Sequence, residues 1–170
     1  MKDPNAKWTQ VMDAEGPDGT RIMEGAGLIN ANNFVITKAC KDPGKHPRIS
    51  DWTSEASVEP ATLRRWWKRW PAANLAVATG AGSNLYVVEG DGQAGADELR
   101  ELLRTHPHEG PLCSARSGGG GLHSFWKYPA AGRYGNTAKK LAAHVDTRGE
   151  GGYLLLAPSN HKSGRRYEWL

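Results

Sequence analysis

Three short stretches hold residue types that could do chemistry. In the first, Glu89-Gly90-Asp91 closes the apolar run Leu85-Tyr86-Val87-Val88. If that run is a strand, residues i and i+2 share a face, and their α-carbons stand about 7 Å apart, two strand rises. Two carboxylates that close repel each other unless cations lie between them. Hard oxygen ligands of this kind suit Mg²⁺ or Mn²⁺. The competing reading is a strand end that runs into the turn Gly90-Asp91-Gly92, with both acids solvated.

The second stretch, Arg116-Ser117-Gly118-Gly119-Gly120-Gly121-Leu122-His123, sets four successive glycines between polar flanks. Such a run can turn several backbone N–H groups toward one ligand, and a nest of that kind favours phosphate oxygens. It is not a P-loop: the terminal Lys-Ser/Thr pair is missing, and a strand follows rather than a helix. A flexible hairpin tip fits the same letters. The third stretch is His144-Val145-Asp146-Thr147-Arg148-Gly149. A lone acid beside glycines is usually turn chemistry, but this is the third carboxylate next to a strand. Two-metal phosphoryl-transfer sites need several acids to hold their ions. Three acids, one histidine and a glycine nest have the composition of a nucleotidyl-transfer site.

Strands and two helices must position these groups. Pro60 to Pro71 is the clearest helix: Pro60 suits its first turn and Pro71 ends it. Leu63, Trp66, Trp67 and Trp70 follow the i, i+3, i+4, i+7 pattern, with Arg64, Arg65, Lys68 and Arg69 turned away from that face. Packing is the expectation for the tryptophans, and solvation or nucleic-acid contact for the basic side. Ala94 to Leu103 is the second helix. Phe34 to Thr37, Leu75 to Ala78, Leu85 to Val88, Leu112 to Ala115, His123 to Trp126, Val145, Tyr153 to Leu156 and Tyr167 to Trp169 read as strands. Leu75–Ala78 and Leu85–Val88 lie close enough for a hairpin, and Leu112–Ala115 pairs with His123–Trp126 across the glycines. Interspersed strands and helices indicate an α+β fold. Residues 1–32 carry a double turn signal at Glu15-Gly16-Pro17-Asp18-Gly19 and read as a loop-rich arm, with one short helical turn near Trp8 to Met12. Residues 33–170 form the expected domain.

Composition excludes several classes. A chain of 170 residues can bury a real core. Its two cysteines, Cys40 and Cys113, exclude a disulfide scaffold and an all-cysteine zinc site. Mean hydropathy is −0.62, and no apolar run approaches membrane-spanning length. Met1-Lys2-Asp3-Pro4 leads into no apolar signal-like region, so a cytoplasmic protein without a membrane partner is expected. A net charge of +4 permits a polyanionic partner.

From Lys45 to Trp169 the ordered motifs resemble the bifunctional primase–polymerase (prim-pol) N-terminal domain of phage and plasmid replication proteins, in the archaeo-eukaryotic primase superfamily. They run as Lys45-His46-Pro47 with Trp52, Trp66-Trp67, Trp70-Pro71, Asn74 to Gly80, Val87-Val88-Glu89-Gly90-Asp91, and Gly118 to His123. Val145-Asp146-Thr147-Arg148-Gly149, Gly151-Gly152-Tyr153, Ala157-Pro158-Ser159-Asn160-His161, and Gly164 with Tyr167-Glu168-Trp169 complete the set. The resemblance implies a compact fold with an RRM-like antiparallel or mixed sheet that carries the site between flanking helices. By carry-over, Glu89, Asp91 and Asp146 hold two divalent ions, Mg²⁺ or Mn²⁺, and His123 contacts the incoming triphosphate. Arg116, Ser117 and Gly118 help to seat phosphates, and Arg148, Ser159 and His161 line the same cleft. Where the family usually has Asp as the first acid, Glu89 stands here.

The implied function is a primase–polymerase that joins nucleoside triphosphates on a single-stranded DNA template and primer. A replicative helicase, fused or separate, is the expected partner. Two other classes stay open at this point. One is a catalytically weakened module that binds nucleic acid or nucleotide in a replication complex, and the other is a metal-dependent nuclease that uses the same acids.

Overall fold

The computed structural model describes residues 28–31 (backbone only), 44–49, 51–71 and 73–170. The expected helical turn near Trp8, the strand at Phe34–Thr37 and Cys40 lie outside these residues. The described chain forms β1 (Leu28–Ala31), α1 (Trp52–Glu55), α2 (Pro60–Arg69), β2 (Asn74–Ala78), β3 (Leu85–Gly90) and α3 (Gly92–Thr105). It continues with β4 (Cys113–Arg116), β5 (Leu122–Lys127), β6 (Thr137–Ala142), β7 (Val145–Arg148), β8 (Tyr153–Leu155) and β9 (Glu168–Trp169). Two antiparallel sheets result, a small one ordered β1-β2-β8 and a large one ordered β6-β7-β3-β5-β4-β9. The fold is therefore α+β, as the alternation of elements indicated. Strand β1 falls within the segment that the sequence assigned to the arm, and it pairs with β2.

Opposite residues of antiparallel strands share a face, so the register sorts the large sheet into two sides. On one side Val88, Leu122 and Val145 pack with Ala96, Leu99, Leu102 and Leu103 of α3. Leu99, Leu122 and Val145, the buried branched side chains of this group, contribute about 1.5–3 kcal/mol each. Gly90 and Gly95 let α3 begin directly beneath the end of β3, since a Cβ on Gly90 would overlap the Gly95 carbonyl. On the other side Val87, Phe125 and Ala115 join the main core with Leu75 to Val77, Leu154 to Ala157 and the buried face of α2. The small sheet thus covers part of the large one, and a cleft lies between β8 and Glu89.

Helix α2 obeys its sequence pattern. Pro60 occupies the first turn, where a missing N–H leaves no bond unmade. Leu63, Trp66 and Trp67 are buried and Trp70 half-buried, while Arg64, Arg65, Lys68 and Arg69 are exposed. The guanidinium groups of Arg69 and Arg48 lie 4.7 and 5.7 Å from the Trp70 ring centre, within cation–π range.

The expected hairpin between Leu75–Ala78 and Leu85–Val88 is not formed. These runs are β2 and β3, in different sheets, and the 3-10 turn Ala81–Ser83 makes the corner between them. Strand β2 is apolar and buried along most of its length, so it requires β1 and β8 on its two edges. The pairing across the glycine loop is formed as expected, between β4 and β5. Strand β6 carried no sequence signal, because Lys139, Lys140 and Leu141 are exposed and no alternation marks it. Among the described residues no helix is long and apolar enough to cross a membrane.

Candidate active site

The strand register builds a charged row across the large sheet. Glu89 of β3 stands opposite His123 of β5 on one side and opposite Asp146 of β7 on the other. All three therefore point to the face that the small sheet only partly covers. They line a cleft of about 360 Å³, together with Asp91, Ser117, Arg148, His161 and Lys45. The sequence separations that unite them, 34 residues from Glu89 to His123 and 57 to Asp146 (123 − 89 and 146 − 89), are closed entirely by β pairing.

Asp91 reaches the cleft by a different route. It is the N-cap of α3, its N–H donates to the His144 carbonyl at 2.9 Å, and its own carbonyl accepts from Gly95 at 3.1 Å. An aspartate at this position ordinarily accepts a hydrogen bond from the first helical turn. Here the Asp91 side chain makes no capping bond and lines the cleft instead. The expected convergence of Glu89 and Asp91 is thus a strand end followed by a helix cap.

Burial controls the charges of the inner residues. Glu89 is only 14% exposed, and desolvation pushes its carboxyl above the usual carboxylate range, against the pull of Arg148. Arg148 donates from Nε to Glu89 Oε1 at 2.7 Å, and its Nη2 contacts both Glu89 and Asp146. A guanidinium thus bridges the two acids. His123 is buried, and desolvation, with Lys45 and Arg148 nearby, pushes its pKa down to about 3. The 3.7 Å approach of His123 Nε2 to Glu89 Oε2 is therefore a contact of a neutral ring, not an ion pair. Its Nδ1 is buried with no hydrogen-bond partner, a costly state for a polar atom and one that a ligand would relieve. Desolvation also lowers the pKa of His161, with Lys45 next in effect.

The glycine loop is a tight turn held by its own bonds. Ser117 N–H donates to the Gly121 carbonyl and Gly121 N–H to Ser117 Oγ, both at 2.9 Å. Gly118 lies against His161, whose Cβ would collide with any side chain there. Ser163 Oγ, which contacts His161 Nδ1 at 3.0 Å, donates to the Gly118 carbonyl at 2.8 Å. So Gly118 positions His161 rather than lining the cleft itself. Arg116 stands opposite Leu122, on the α3 side of the sheet, and is exposed outside the cleft. Ser159 is buried, and its hydroxyl both accepts from Leu75 N–H and donates to the Leu75 carbonyl. It fixes the 157–161 loop to β2 and does not line the cleft.

Lys45 also lines the cleft, a role that sequence reasoning missed although Lys45-His46-Pro47 is among the family motifs. Asn74 explains its placement. This buried amide donates to the Gly44 and Asn160 carbonyls at 3.0 and 2.9 Å and accepts from Asn160 N–H. One side chain at the start of β2 thereby sets both Lys45 and His161 against the cleft. Tyr153 Oη adds a bond to the Lys45 carbonyl.

The donor set suits a hard divalent cation, because three carboxylates line one cleft and a cation already bridges two of them. As arranged, no three acidic, histidine or cysteine side chains among the described residues stand together as an ion site. Glu89, Asp91 and Asp146 are the residues that would hold such an ion, and it would supply positive charge to the cleft.

A comparison with curated proteins finds no match. The family model described as bifunctional DNA primase/polymerase, N-terminal, matches residues 20–170, which include every element and every cleft residue described above. The chain belongs to that family of DNA primase–polymerase domains.

Proposed function

We propose that this chain is a template-dependent nucleotidyltransferase that makes primers, or extends them, on single-stranded DNA from nucleoside triphosphates. The observation that carries the reading is the row His123–Glu89–Asp146, joined in one cleft by an Asp91 carboxylate that forgoes its helix cap. Mg²⁺ or Mn²⁺ held by Glu89, Asp91 and Asp146 would supply the positive charge that a polyphosphate undergoing attack requires. Lys45 and His161 flank that position and suit the outer phosphates. His123, neutral, lines the cleft beside Glu89 and would meet a phosphate or sugar oxygen there. Arg148 holds the carboxylates together before substrate enters and is then available to phosphate.

The test is a primer-extension assay with labelled nucleotide, run beside a degradation assay on the same template. Extension supports the proposal. Degradation without extension would identify a nuclease, and binding without either would identify a module that only holds nucleic acid. A fused or separate replicative helicase is the proposed partner, since primers made on a single strand serve a moving fork.

A further inference from the structure

The segment between β5 and β7 holds a second group of features that the cleft does not use. Residues 127–144 contain Lys127, Arg133, Lys139, Lys140 and His144 and no acidic residue. Arg133, Tyr134, Lys139, Lys140 and Leu141 are all exposed, with Leu141 at 52% and Tyr134 at 42%. Tyr86, Tyr128 and Tyr134 form a mutual edge-to-face cluster, with ring centres 6.2 to 6.3 Å apart. Tyr128 Oη accepts from Tyr134 N–H at 2.7 Å, so the cluster is held rather than loose.

This surface is continuous with the cleft. The Tyr134 carbonyl accepts from Glu150 N–H at 2.8 Å, two residues past Arg148. Asn136, which lines the cleft, accepts from Gly149 N–H at 3.0 Å. Strand β6 is the outer edge of the large sheet, and its register slips between Thr137 and Ala142. In that bulge Lys139 adopts a left-handed conformation, φ 56°, and its N–H donates to Asp146 Oδ1 at 3.0 Å. A non-glycine residue held left-handed against a cleft carboxylate marks a locally strained, fixed path.

We infer that the Tyr134–Lys140 edge is the surface along which single-stranded nucleic acid runs to the cleft. Tyr134 stacks on a base, while Arg133, Lys139 and Lys140 contact phosphates. This rests on the proposed polymerase reading, which needs a polyanionic strand beside Asp146. An exposed, anchored aromatic within an acid-free basic edge is the composition that single-strand binding requires.

The experiment measures binding of a fluorescein-labelled oligothymidylate by anisotropy at several salt concentrations, without nucleotide. Variants are Tyr134→Ala, Tyr134→Phe and the double change Arg133→Glu/Lys140→Glu. Tyr134→Ala should weaken binding by about five-fold to 100-fold, and Tyr134→Phe should restore most of it. The double variant should bind more weakly with a salt slope shallower by about one or more, as two lost phosphate contacts imply. Wild-type affinity and salt slope in both Tyr134→Ala and the double variant would overturn the surface. If those variants also extend primers normally, the polymerase reading survives that result. A wild-type chain that binds no oligothymidylate would overturn the surface too, and failure to extend as well would remove the reading on which it rests.

Discussion

Helix α2 and the cleft follow opposite rules. Along α2 every side chain lies where its own solvation would put it: Leu63, Trp66 and Trp67 inside, four basic residues outside. In the cleft a carboxylate is 14% exposed, a histidine has a buried nitrogen without a partner, and an aspartate leaves its helix uncapped. Each of those choices lowers stability. Three such departures gathered in one cleft, where α2 shows none, mark the region shaped by function. Changes in the two regions should therefore act on opposite quantities.

The largest expected effect is at Glu89. Glu89→Gln should reduce primer extension to near background while raising the melting temperature at neutral pH. The sign follows from burial. Glu89 has a folded-state pKa raised above 4.5, so the native state holds its proton more tightly than the unfolded chain. That contribution is complete below about 4.5 and is lost as pH rises through the higher folded value. The advantage of Glu89→Gln over wild type should be absent near pH 4 and grow toward neutrality. Arg148, which is 33% exposed and still contacts Asp146, softens the effect without reversing it. Thermal melts of both proteins across this range check it, and equal pH profiles would contradict it.

Trp67→Ala is the counterpart in α2. It should cost about 3–5 kcal/mol of stability, as for other large aromatic truncations in cores. Activity per folded molecule should be retained below its melting transition. Loss of oligonucleotide affinity with an unchanged melting temperature would show that α2 is a binding platform, and the comparison would fail.

A smaller effect sharpens the cleft itself. Glutamate reaches about 1.5 Å further than aspartate, one C–C bond, and Mg²⁺ tolerates displaced ligands poorly. Extension should be faster with Mn²⁺ than with Mg²⁺, and Glu89→Asp should narrow the difference. Equal rates with the two ions in wild type would mean that the backbone absorbs the extra methylene. The smallest expected effect is in Arg65→Glu/Arg69→Glu, on the solvated side of α2. Affinity for single-stranded DNA and its salt dependence should stay near wild type, in contrast to the same charge reversals beside Tyr134.

Much of this was legible in the sequence because it depends on local pattern. The 3.6-residue period with Pro60 at its start gave α2, and alternation with a glycine loop gave β4 and β5. The pairing of Glu89 with Asp91 was suggested by their i, i+2 spacing, whereas the placing of His123 and Asp146 in the same cleft followed from the ordered family motifs. Long-range partners were not legible. Nothing in Leu75–Ala78 says that β2 pairs with β1 and β8 rather than with its neighbour in sequence. Nothing near Lys45 says that an amide 29 residues later, Asn74, holds its loop against the cleft. Ser159 and Gly118 have positions set by packing and hydrogen bonds to Leu75 and Ser163, which residue type alone does not reveal. Strand β6 was silent because an exposed edge needs no apolar alternation.

The most direct test of the central claim is primer extension by wild type and Asp91→Asn on a single-stranded template with Mg²⁺ or Mn²⁺. Asp91 neither fills the core nor caps α3 through its side chain, so the variant should melt like wild type. Wild type should extend robustly, and Asp91→Asn should lose at least about two orders of magnitude, on the scale of a lost electrostatic group at a reacting centre. Wild-type extension by a folded Asp91→Asn protein would contradict it.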